Sequence, residues 1–192
     1  MTSAFPLHRY PYQDYVSLEE DSSTRHEFLS GEIVAIAGGT PEHAAMAAEV
    51  IGQLREKIRG GSCRVFTSDL GIRVKATGLA TYPDASVVCG PTERDPDKRT
   101  NFTNPRVIVE VTSDSTEDYD HGEKLTHYKQ IPSLEAVVIV SHRQAQVDVW
   151  SRPTDSPLWS RASASAGETA AVPALGCQLD VDAIWRAAAE PA

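Results

Sequence analysis

VIVEVTSDST, from Val107 to Thr116, sets the reading of this chain. Its first five residues form a β-branched apolar run, the pattern of a strand buried on both faces. One carboxylate, Glu110, interrupts the run. An ionised carboxylate in such a strand costs several kcal/mol unless it is paired or binds a metal. Two explanations stand: a salt bridge to a base such as Arg73 or Lys75, or a functional site.

Upstream, YPDASVV (Tyr82–Val88) is a second acid-bearing strand, with Asp84 placed 26 positions before Glu110 (110 − 84). Downstream, Glu117 to Gln130 reads as a helix stopped at Ile131-Pro132. In it Asp120, Lys124 and Tyr128 recur at i, i+4 and i+8, and so share one face. That stripe is either a solvated face with an Asp–Lys pair or the continuation of the site on the preceding strand. Position 112, two residues after the acid, is Thr rather than a base.

Further out, Arg25 to Leu29 and Glu32 to Ala37 flank Ser30-Gly31 as a hairpin. Pro41 to Arg59 predicts a helix with Ala44, Ala47, Ala48, Ile51, Leu54 and Ile58 on its apolar face, ended by Gly60-Gly61. Strands are predicted at Cys63–Thr67, Leu70–Lys75, Tyr82–Cys89, Arg106–Val111 and Ala136–Val140. The Pro-rich stretch Pro91–Pro105 reads as a loop. Gln146–Trp150 and Leu158–Ala162 read as a meander and Val181–Ala189 as a closing helix, while Asp14–Ser23 reads as a short surface helix or turn. The expectation is one mixed α/β domain over residues 1–192.

Composition narrows the class. The 192 residues carry a net charge of −9, are 41% hydrophobic and 23% charged, and include three cysteines. A chain of this size and balance folds on its own core. Cys63, Cys89 and Cys177 are widely spaced and odd in number, which disfavours a disulfide scaffold or a Cys-rich zinc site. No apolar run approaches the roughly 20 residues of a membrane-spanning helix. The stretch from Met1 to Tyr15 does not read as a secretory signal, which places the protein in the cytoplasm. The acidic balance argues against non-specific coating of nucleic acid, though a local basic patch with bound metal would reverse the sign at a site. There is no GxxxxGK[ST] loop and no GxSxG elbow. His121 and His127 fall on different helix faces and do not suggest a joint metal site. Trp150, Trp159 and Trp185 read as core or subunit-contact residues.

The ordered motifs HEFLSGEIV (His26–Val34), PEHAAMAAEVIGQL (Pro41–Leu54), YPDASVV, VIVEVTSDST and DHGEKLTHYKQI (Asp120–Ile131) resemble the Uma-two family of restriction-endonuclease-like proteins, in the PD-(D/E)XK nuclease superfamily. The resemblance runs from about Arg25 to Val149. It implies an α/β fold with a restriction-endonuclease-like mixed β-sheet core flanked by helices. The core spans about residues 25–150, with a C-terminal meander and helix over 151–192. By the same resemblance Asp84, Glu110 and the peptide carbonyl of Val111 are metal ligands, and Lys124 is a catalytic lysine migrated from position 112. Glu27 adds a ligand or holds a metal-bound water, and His43 faces the same cleft, as do Asp120 and Tyr128. Hard oxygen donors of this kind suit Mg²⁺ or Mn²⁺. The implied activity is metal-dependent endonucleolytic hydrolysis of DNA by a homo-oligomer. The alternatives are a catalytically silent nuclease-fold binding or regulatory module and a hydrolase of a small phosphorylated substrate. The chain departs from the family pattern at Ser113-Asp114-Ser115-Thr116 and at Ser141-His142.

Overall fold

A computed structural model describes residues 8–189. Residues 1–7, which hold the first part of the stretch read for a signal, and residues 190–192 lie outside the described region. The elements run α1 (Tyr12–Asp21), β1 (His26–Leu29), β2 (Glu32–Ala35), α2 (Pro41–Lys57), β3 (Cys63–Thr67), β4 (Gly71–Val74), β5 (Leu79–Thr81), β6 (Ala85–Cys89), β7 (Asn101–Phe102) and β8 (Val107–Val111). Then follow α3 (Glu117–Tyr119), a π-helical stretch (Asp120–Lys124), α4 (Leu125–Tyr128), β9 (Ala136–Val140), β10 (Gln146–Ser151), β11 (Ser160–Ser165), β12 (Thr169–Val172), β13 (Cys177–Asp180) and α5 (Val181–Ala187).

Among the described residues these strands form three sheets. The largest has the order β11-β10-β9-β8-β6-β3, with β8 and β9 parallel and the other pairs antiparallel. A second has the order β2-β1-β5-β4-β7, and β12 pairs with β13. Strands β8 and β9 lie in the middle of the large sheet, and every residue of both is buried. One face, with Val107, Val109, Val111, Val138 and Val140, packs on α2 and on the C-terminal hairpin and α5 through Met46, Val50, Leu54, Leu179 and Ile184. The opposite face, with Ile108, Val137 and Ile139, meets the second sheet and α4 through Ile72, Leu79, Phe102, Leu125 and Tyr128. Apolar cover on both faces is why VIVEV and AVVIV carry almost no polar residue. Glu110 is the exception, and it points to the second face, because it stands opposite Ile139.

The β1–β2 turn places Ser30 at φ 53° and Gly31 at φ 86°. This left-handed pair is the hairpin turn whose twist matches the flanking strands. Thr40 caps α2 by accepting a hydrogen bond from the His43 amide at 3.3 Å, and Pro41 sits in the first turn.

Several expectations are corrected. The buried stripe of α2 is Met46, Val50 and Leu54, while Ala44 and Ala48 are exposed. Tyr82–Asp84 is not strand but the connector that carries the chain from the second sheet into the large one, and β6 begins at Ala85. The Pro91–Pro105 loop contains a short strand, β7, parallel to β4. The helix expected over Glu117–Gln130 is interrupted by the π-helical stretch and ends at Tyr128. The C-terminal hairpin β12–β13 was not expected. Trp185 is 37% exposed, whereas Trp150 and Trp159 pack partly buried against the second core. Cys63 and Cys89, distant in sequence, are register partners on β3 and β6 and form a disulfide, leaving Cys177 free. No helix among the described residues is long and apolar enough to cross a membrane.

Candidate active site

The C-terminal end of β8 lies at the seam between the two large sheets, and four segments bring acids or bases to it. Register extended by one pair from Ala85–Val109 sets Asp84 opposite Glu110. Asp84 Oδ2 accepts a 2.7 Å hydrogen bond from the Val111 amide, which pins the connector to the strand end. From the second sheet, β1 supplies Glu27, whose Oε1 accepts from the Thr81 hydroxyl. The helical segment supplies Lys124, and its ammonium is 3.1 Å from Glu110, 3.1 Å from Glu27 and 3.5 Å from Asp120.

The Asp120–Lys124–Tyr128 stripe is therefore not a solvated face: the three residues are 3%, 6% and 0% exposed. An α-helix overshoots a full turn in four residues, whereas the wider π turn, with its i→i+5 bonds, falls short of one. A π stretch followed by α4 offsets the two drifts and keeps the three side chains in one row. The base that pairs with Glu110 is Lys124. Arg73 instead stacks over Tyr12, 3.6 Å from the ring centroid, with Asp95 at 3.8 Å, and Lys75 is exposed.

Tyr128 donates a 2.5 Å hydrogen bond to Glu110 Oε1. Burial pushes the Glu110 carboxyl up from 4.5 to about 8; Lys124 pulls it down, and the nearby Asp120 and Asp84 charges push it up again. Asp120 is raised too, chiefly by burial, with Lys124 opposing. Its Oδ1 makes no hydrogen bond and has the Lys124 ammonium as its counter-charge. Burial works against the charged Lys124 amine, but Glu110, Tyr128, Glu27 and Asp120 together hold it well above its ordinary value. One ammonium faces Glu110, Glu27 and Asp120, with Asp84 close by. The cluster thus carries surplus negative charge, which a proton or an added cation relieves.

On the other side of the β8 end, His43 Nε2 is 2.9 Å from the Val111 carbonyl and 3.4 Å from Asp84 Oδ2. Its hydrogen bond with Asp84 raises the imidazole above its ordinary value, against the opposing effect of burial. Gly39 makes room for this ring, since a Cβ there would lie 2.6 Å from His43 Nδ1. All seven side chains anticipated from the sequence, Glu27, His43, Asp84, Glu110, Asp120, Lys124 and Tyr128, lie in this one linked cluster, together with the Val111 carbonyl.

Three contributors were not anticipated. Thr81 steadies Glu27. Tyr119, half-buried, has its ring centroid 5.8 Å from the Lys124 amine. Its hydroxyl is held above its ordinary value chiefly by burial, with Glu27 adding to the effect. The third is His142, which joins the two departures from the family pattern: Nδ1 is 2.7 Å from Thr112 Oγ1 and Nε2 is 3.1 Å from Asp114. Thr112, next to Val111, therefore anchors the loop that leads to α3. Of these three, Tyr119 is signalled in the sequence by its proximity to Asp120 and His142 by the departure at Ser141-His142, whereas Thr81 carries no signal. His127 and Glu123 form a separate pair at 3.6 Å.

No three His, Cys, Asp or Glu side chains converge as a ready-made metal site among the described residues. The donor set that fits a hard divalent cation is two carboxylates, Asp84 and Glu110, with the Val111 peptide carbonyl beside them. The surplus negative charge and the Asp120 oxygen without a hydrogen bond agree with a place for a cation.

A mixed sheet with helices on its faces and this acid–lysine cluster at a strand end define a restriction-endonuclease-like α/β protein. The chain belongs to the Uma2 family, described as "Putative restriction endonuclease", whose match covers residues 12–182. It is 32% identical over 182 residues to the uncharacterized protein slr1290 of Synechocystis sp., covering 94% of each chain. A second Synechocystis protein, sll1609, is 26% identical over 142 residues, 74% of this chain and 80% of that one. Among solved structures, a protein of Anabaena variabilis described as "a putative nuclease belonging to DUF820" superposes with a TM-score of 0.70 at 15% identity, covering 88% of this chain and 93% of that chain.

Proposed function

We propose that this protein is a metal-dependent endonuclease that hydrolyses DNA phosphodiester bonds, using Mg²⁺ or Mn²⁺ and working in the cytoplasm as a homo-oligomer. The observation that carries the reading is the Lys124 ammonium, buried 3.1 Å from both Glu110 and Glu27 at the strand end that also holds Asp84. The description of the family and that of the Anabaena protein point the same way.

Asp84, Glu110 and the Val111 carbonyl would hold the cation, which supplies Lewis-acid activation of water and neutralises charge on the phosphate. The chain's own residues do the rest. Tyr128 fixes the rotamer of Glu110, and His43 steadies Asp84 and the Val111 carbonyl. Lys124 presents a proton-bearing cation to the charge that develops on the phosphate, and Glu27 orients the Lys124 amine.

The test is nicking of supercoiled plasmid by the purified protein in Mg²⁺ or Mn²⁺, with Asp84→Asn and Lys124→Met as variants. Cleavage that is lost in both variants supports the reading. A second reading, a silent binding module, has its own observation: Lys124 is already engaged by three carboxylates. Mn²⁺ binding in calorimetry with no cleavage of any DNA form would favour it.

A further inference from the structure

Glu19 lies on α1, outside the cluster described above, and its side chain is only 3% exposed. Its Oε1 accepts from the His26 amide at 2.8 Å and is 3.0 Å from His26 Nδ1. Its Oε2 accepts from the Tyr82 hydroxyl and from Lys98 Nζ at 3.3 Å, and Lys98 also donates to the Tyr82 oxygen at 2.9 Å. His26 is the neighbour of Glu27, and Tyr82 is separated from Asp84 only by Pro83, whose ring fixes φ and stiffens the connector. One carboxylate thus grips two of the segments that deliver acids to the site, the one carrying Glu27 and the one carrying Asp84.

The helix α1 has a separate apolar anchor. Tyr15 and Val16 already pack it against Phe28 and Ala80. The Glu19 carboxylate adds bonds to the two acid-bearing segments, and these, with Lys98, more than offset burial and hold it below its ordinary value. We propose that Glu19 is a positioning residue: through His26 and Tyr82 it sets Glu27 and Asp84 in register with the end of β8. Its relevance to chemistry rests on the metal-dependent reading, but the geometry is testable apart from it.

The Val111 amide reports the position of Asp84, because it donates to Asp84 Oδ2. The experiment compares Glu19→Gln and Tyr82→Phe with the parent and with Glu135→Gln. This last variant weakens the Arg106–Glu135 ion pair, at the opposite end of β8 and β9 from the site. Circular dichroism and thermal unfolding establish that each is folded. Amide exchange at Val111 is read by NMR and Mn²⁺ affinity by calorimetry. In Glu19→Gln we expect Val111 exchange to quicken about tenfold and Mn²⁺ affinity to fall about 10–100-fold, the usual loss when the support of a ligand is removed. Tyr82→Phe moves both in the same direction by less, and Glu135→Gln moves neither. A folded Glu19→Gln with the parent's Val111 exchange and Mn²⁺ affinity overturns the proposal. Should Glu19→Gln not fold, Tyr82→Phe decides by the same two readouts. If the parent itself binds no Mn²⁺, the metal reading fails, and Val111 exchange alone decides the role of Glu19.

Discussion

Replacing Glu110 with glutamine should remove a pH dependence from folding. In the folded protein the Glu110 carboxyl is raised from 4.5 to about 8, mainly by burial. The folded state therefore holds this proton more tightly than the unfolded chain. The resulting stability is fully present below about pH 4.5 and is lost as pH rises towards 8. Each tenfold gain in proton affinity on folding contributes about 1.4 kcal/mol, so the window is worth at most about 5 kcal/mol at a site this buried. Urea unfolding of the parent should show a stability falling by a few kcal/mol between about pH 5 and about pH 8 with an unchanged m-value. Glu110→Gln, which keeps the shape and can still accept from Tyr128, should lack most of that slope. Parallel curves for the two proteins across the window would refute the reasoning, since they would mean that Glu110 is already ionised at the lower pH.

Lys124→Met should leave Glu27, Glu110 and Asp120 without their shared cation and cost about 3–5 kcal/mol at pH 8. The cost should shrink at pH 5, where Glu110 retains its proton, and denaturant titration at both values checks this. Gly39→Ala places a Cβ against a side chain free to rotate, so stability should hold while the His43 ring turns away from Asp84; NMR titration should then show the imidazole lower than in the parent. Reducing the Cys63–Cys89 disulfide, which spans 26 residues, should lower stability by about 3 kcal/mol, seen as a shifted urea midpoint with dithiothreitol. An unchanged midpoint would mean that the two thiols are not bonded in solution.

What could be read in the sequence followed from how local each signal is. VIVEV and AVVIV announce themselves because a strand covered on both faces has no solvent side to encode. The Asp120–Lys124–Tyr128 spacing marks one helix face whichever way the helix is wound, which is why the stripe was visible and the π-helical stretch was not. Pairing across the fold is another matter. Arg73 and Lys75 are the bases the sequence offers Glu110 as salt-bridge partners, and that Lys124 takes this place follows only once the helix is set against the strand. Cys63 and Cys89 look isolated until the β3–β6 register is known. Ala- and Ser-rich segments such as Ser160–Ser165 and Thr169–Val172 have weak strand preference, so nothing in the sequence marks β12, and the Leu158–Ala162 run places β11 too early. Glu19 and His142 carry no motif, and their roles come only from what folds against them.

The passage of the chain from one sheet to the other through Tyr82–Asp84 gives the site a thermal character of its own. Glu27 rides on the second sheet and Glu110 on the first, so the cluster exists only while the two are docked. A partial opening that separated the sheets, with each still hydrogen-bonded within itself, would pull Glu27 from Lys124 and free the Asp84 connector before any strand was lost. On warming, the cluster would come apart ahead of the backbone, and the temperature at which it is lost would measure adhesion between layers rather than the stability of either layer.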